Sequence, residues 1–129
     1  NAVTFRFSQD RGRLLENLVF NHLYCQSQSD IYYWADKNGH EVDFVVKQGP
    51  DVIKLIQVCE SLADPKTRGR ELRALDKAMA ELDMDSATIL TDDELHIEKV
   101  ADKHITIKPI WLWLLENEFQ TEYNKPDSK

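Results

Sequence analysis

The chain has 129 residues, with 42% hydrophobic and 30% charged side chains, a balance that suits one soluble domain with a real apolar core. Its formal net charge of −7 argues against tight non-specific binding to phosphate backbones, where lysine and arginine supply most of the affinity. The apolar runs, such as Ile110 to Leu115, are far too short to span a bilayer.

Asn1-Ala2 read as a cloning scar, with one domain expected over 3–116 and a polar, weakly ordered tail over 117–129. Ser8 is placed to cap a first helix running to about Cys25, with Leu14, Leu15, Leu18, Val19 and Leu23 as its apolar face. A turn over Ser27 to Asp30 leads into a strand at Ile31 to Trp34. Asp36-Lys37-Asn38-Gly39 is a hairpin signal, because Asn-Gly tolerates positive φ. Glu41 to Val46 and Val52 to Cys59 follow as strands, separated by Gln48-Gly49-Pro50-Asp51. Asp64-Pro65 opens a second helix over Lys66 to Leu82, with Leu72, Leu75, Met79 and Leu82 as its buried stripe. The crossover to a strand at Thr88 to Thr91 is long enough for parallel pairing. An excursion over Leu95 to Val100, a strand at Ile105 to Ile107 and a helix started by Pro109 complete the order. The expected fold is an α/β sandwich with a mixed sheet.

Cys25 and Cys59 lie in no C-x-x-C pair and near no histidines at zinc-ligand spacing, which predicts reduced thiols and a cytoplasmic protein. His22, His40, His96 and His104 are scattered, without metal-site spacing.

Strand alternation puts Glu41, Asp43 and Val45 on one face of the second strand, and Val42, Phe44 and Val46 on the other. On the third strand, Leu55, Gln57 and Cys59 share a face. Neighbouring strands would bring Asp43 close to Gln57 and Cys59, with Glu16 presented from the first helix. Glu16, Asp43 and Gln57-Val58-Cys59 resemble the PD-(D/E)XK nuclease superfamily, whose pattern is a helix acid, a strand aspartate and a Glu-x-Lys on the next strand. Its chemistry needs converging carboxylates to hold Mg²⁺ and a lysine to stabilise developing charge. The resemblance implies that Glu16, Asp43 and Gln57 occupy metal-ligand positions for Mg²⁺ or Mn²⁺. Gln57 would offer only a neutral amide oxygen there, and Cys59 stands where the lysine belongs. Losing a preorganised charged group costs about 3–4 kcal/mol of transition-state stabilisation. Lys66, at the start of the second helix, is the candidate for a relocated cation.

A second resemblance covers nearly the whole chain. Gly12 to Phe20, Tyr32-Tyr33-Trp34, Glu41 to Phe44, Leu55 to Cys59, Thr67 to Leu72 and Ile107 to Leu114 occur in the order seen in the C-terminal domain of unknown function of prokaryotic AAA-type ATPases. That resemblance implies that the chain is a detached C-terminal part whose natural partner is an ATPase module of the same polypeptide. No G-x-x-x-x-G-K-[ST] occurs here, so ATP would bind only in that module.

Arg70, Arg73 and Lys77 fall with Lys66 on one side of the second helix, a row that reads as a solvated face or as a nucleic-acid contact. Three functions fit these residues: a catalytically degenerate accessory domain serving binding or regulation, an active Mg²⁺- or Mn²⁺-dependent DNA nuclease, and a protein-interaction module that self-associates through its apolar C-terminal helix.

Overall fold

The computed structural model describes the backbone over residues 2–26 and 29–123 and the side chains over 11–25 and 29–116. Residue Asn1, the first half of the expected turn at Ser27 to Asp30, and tail residues 124–129 lie outside the described residues.

The order is α1 (Ala2–Gln26), β1 (Asp30–Ala35), β2 (Glu41–Gln48), β3 (Asp51–Val58), α2 (Pro65–Glu81), β4 (Ser86–Thr91), β5 (His96–Val100), β6 (Lys103–Pro109) and α3 (Ile110–Tyr123). The strands form one six-stranded sheet in the order β1-β2-β3-β4-β6-β5. The first three are antiparallel neighbours, β4 is parallel to both β3 and β6, and β5 closes the far edge antiparallel to β6. The fold is therefore α/β, with a mixed sheet flanked by helices.

Two apolar layers hold it. On one face, Leu75, Ala78 and Met79 of α2 pack against Leu55, Ile89, Ile105 and Ile107. On the other, Val19 and Leu23 of α1 and Ile110 and Trp113 of α3 cover Phe44, Val46, Ile56 and Leu90. Each fully buried Leu, Ile, Met or Val contributes about 1.5–3 kcal/mol relative to exposure. Asp64 caps α2 by accepting the Lys66 N–H at 3.0 Å, with Pro65 at the first helical position.

Four differences from the sequence reading have physical causes. α1 starts at Ala2, so Ser8 falls inside it; a serine costs only about 0.5 kcal/mol in a helix interior, too little to impose a cap. Leu14 and Leu18 are 68% and 45% exposed, because only the narrower Leu15-Val19-Leu23 arc meets the sheet. The Leu95 to Val100 excursion contains a paired strand, joined to β6 through Ala101 in the left-handed region at φ 57°. α3 continues to Tyr123, past the expected boundary at 116.

Candidate functional site

The alternation predicted for β2 breaks at Asp43 and Phe44. Tyr32 pairs with Val45 and Trp34 with Val42, so Tyr33 alone faces both Asp43 and Phe44. This bulge reverses the parity of β2: Val42 packs with Val45 in the α2-side layer, while Phe44 and Val46 lie in the other. The expected grouping of Glu41, Asp43 and Val45 on one face is thereby corrected. One inserted residue flips every side chain beyond it.

The bulge sits where β2 parts from β3. Their backbone ladder runs from Gln48↔Asp51 only as far as Phe44↔Ile56. Beyond it, side chains replace the ladder. Gln57 Oε1 accepts the Asp43 N–H at 2.8 Å, and Gln57 Nε2 donates to the Glu41 carbonyl at 2.8 Å. In return, Asp43 Oδ2 accepts the Val58 N–H at 2.9 Å. Gln57 is 4% exposed and fully engaged, so this reciprocal strap satisfies backbone groups that the splay would otherwise orphan.

The splay opens a cavity of about 300 Å³. Glu16 of α1, Asp43 and Gln57 all line it, together with His40, Glu41, Arg70 and Glu71. Burial pushes the Asp43 carboxyl up to about 7; the Val58 N–H works against the shift, while Glu16, Glu71 and Glu41 add to it. Burial also raises Glu71, against the opposing hydrogen bond from Gln57 and the charge of Arg70. Arg70 is the only lysine or arginine among the cavity's described lining residues, and its 3.9 Å pairing with Glu71 is weak because its side chain is 67% exposed. Across the bulge, a hydrogen bond to Glu41 holds the exposed Tyr33 hydroxyl above its ordinary value.

Four residues named from sequence stand apart from this cavity. Cys59 packs half-buried against the α2-side layer, and its thiol donates to the Ser61 carbonyl at 3.2 Å. Burial, and next the charge of Glu71, raise that thiol above its ordinary value, which disfavours the nucleophilic thiolate. Lys66 is exposed at the start of α2 and does not line the cavity, where the expectation put it; Arg70, one turn on, does. Arg73 and Lys77 are exposed on α2 and line no part of it.

Glu71 was the acid missed in the sequence. Its signal was available: four residues before Leu75 and seven before Ala78, it continues the buried stripe of α2 toward the sheet. His40, without metal-site spacing in the sequence, lines the cavity too. Its ring accompanies the cavity because Asp36 accepts the N–H groups of Asn38 and His40, each at 2.9 Å, and pairs with His40 Nδ1 at 2.8 Å.

A divalent cation held by Glu16, Asp43 and Gln57 does not fit this arrangement. The Gln57 oxygen and one Asp43 oxygen are committed to backbone N–H groups. Among the described residues, no three His, Cys, Asp or Glu side chains stand where they could hold a metal ion together. Nor is any helix of the described residues long and apolar enough to cross a membrane.

Comparison with known proteins agrees with the extent of this fold. The family described as a domain of unknown function (DUF4143) matches residues 11–113. The uncharacterized protein MJ1544 of Methanocaldococcus jannaschii is 34% identical over 117 residues, which cover 84% of this chain and 26% of the relative. The chain thus spans about a quarter of the length of the curated relative it matches. No solved structure matches it. With the match running from α1 into α3, the chain belongs to the DUF4143 family.

Proposed function

We propose that this is a nuclease-like accessory domain of an AAA-type ATPase, with a degenerate PD-(D/E)XK site that serves binding or regulation. The observation that carries this reading is the use of Gln57. Its amide is spent on the Asp43 N–H and the Glu41 carbonyl, holding two strands together where a metal-dependent nuclease would hold its cation. The Cys59 position supports the reading further, since a thiol tied to the Ser61 carbonyl cannot supply the cation that phosphodiester cleavage needs. The small share of the archaeal relative that aligns here fits a domain working within a larger polypeptide.

Supercoiled-plasmid cleavage with Mg²⁺ or Mn²⁺ tests the proposal, using the wild-type chain beside Asp43→Ala. No nicking above the Asp43→Ala background is expected. Metal-dependent nicking that Asp43→Ala abolishes would instead establish an active DNA nuclease.

A further inference from the structure

A second cleft lies at the other end of β3. Parallel strands are ordinarily covered on both faces. The later part of β4 obeys this, since Leu90 is completely buried under the α1 and α3 layer. Its earlier part does not. Ala87 and Ile89 point to the α2 layer, so alternation turns Ser86 and Thr88 to the opposite face, and both are only half-buried. On β6, Ile105 and Ile107 likewise turn Thr106 and Lys108 to that face. On β3, Lys54 pairs with Val46, which places it there too.

These residues open a cleft of about 220 Å³, floored by the Ser86 and Thr88 strand and walled by Trp113 and Glu116 of α3. Lys54 and Lys108 both line it. Lys108 donates to Glu116 at 2.9 Å, with its side chain only 20% exposed. Lys54 makes no ion pair among the described residues. Two ammonium groups and two hydroxyls around one small cleft are donors that bind a tetrahedral oxyanion. Glu116 would occupy Lys108 until such an anion competes for it. This is notable in a chain of net charge −7, in which the cleft at the end of β3 is lined by four carboxylates.

We propose that this cleft binds a phosphate group through Lys54 and Lys108, with the Ser86 and Thr88 hydroxyls as further donors and Glu116 as an internal competitor. The site is independent of the reading given under Proposed function. Inorganic phosphate is titrated into the ¹⁵N-labelled chain, and amide shifts are followed on β3, β4 and α3. Saturable shifts at Ser86 and Thr88 are expected. Lys54→Ala and Lys108→Ala should each weaken binding about tenfold, as expected for a lost charged hydrogen bond. Glu116→Gln should tighten it, because it frees the Lys108 ammonium. A parallel titration with a short single-stranded thymidine oligonucleotide separates the sources. Binding that phosphate competes away and that needs both lysines assigns the site to a nucleic-acid phosphate; phosphate binding without it assigns a small ligand. Absence of saturable shifts with either probe overturns the proposal, as does binding that is unchanged in both lysine variants or weakened by Glu116→Gln.

Discussion

The two ends of β3 solve the same problem in opposite ways. At its start, β3 pairs with β2 through backbone hydrogen bonds, and the polar side chains beside it are two lysines, two hydroxyls and the Glu116 carboxylate that Lys108 holds. At its end, the ladder to β2 has stopped, and buried polar side chains take over the pairing while carboxylates crowd around them. A backbone ladder tolerates almost any side chain. A side-chain strap demands particular ones, since replacing either partner leaves buried N–H or C=O groups unmatched. Sequence specificity is therefore concentrated at the splayed end, which is also where charge is stored.

The contrast can be broken most sharply through Asp43. Its folded-state carboxyl titrates at about 7, against an ordinary value of 3.8 in the unfolded chain. Between those values the folded state holds a proton that the unfolded state has released. Its contribution to stability is thus full below about pH 4 and lost as pH rises through 7. The loss is on the order of 4 kcal/mol at most. Asp43→Asn keeps an oxygen for the Val58 N–H and removes this dependence. Urea unfolding should find the variant more stable than the parent at pH 8 and no more stable at pH 4. Equal stability of the two at pH 8 would remove the charge-storage account.

Gln57→Leu tests the strap itself. It leaves the Asp43 N–H and the Glu41 carbonyl without their partner and should cost about 2–4 kcal/mol. At the ladder-paired end, Lys54→Leu should change stability by less than about 0.5 kcal/mol, since Lys54 is exposed and unpaired among the described residues. Equal costs in the two variants would erase the difference between the ends of β3.

A smaller effect concerns the helix that carries Glu71. Just past the Leu82 cap of α2, Asp83 takes φ 56°, and the Met84 N–H reaches back to the Met79 carbonyl at 2.8 Å. Asp83→Gly should raise stability by about 0.5–1 kcal/mol by relieving the left-handed strain, measurable as a shift in the urea midpoint. Asp83→Val should lower it.

Much of this layout was legible in the sequence. Asn38-Gly39 marked the first hairpin, and Gly39 does take a positive φ of 87°. Asp64-Pro65 marked the start of α2, and Asp64 does cap it. Glu16, Asp43 and Gln57 were singled out from three separate elements, and they line one cavity. What the sequence hid was the bulge. Alternation counts residues, and nothing in Glu41-Val42-Asp43-Phe44 announces that Asp43 and Phe44 together face Tyr33. From that one slip follow the wrong grouping of Val42 and the unforeseen strap, in which Asp43 bonds β3 instead of standing on a face. Lys66 reads as a candidate cation because a helix start can lean over a sheet end, whereas α2 lines the cavity with Arg70 and Glu71 and leaves Lys66 outside it.

The most direct measurement is urea unfolding of the wild-type chain and Asp43→Asn, each with and without millimolar Mn²⁺ at pH 8. A cation bound only by the native state at 100 times its Kd would add about 2.7 kcal/mol. If the polar junction is a strap and not a metal site, Mn²⁺ should leave both midpoints where they were. A Mn²⁺-dependent rise in the wild type that disappears in Asp43→Asn would contradict it.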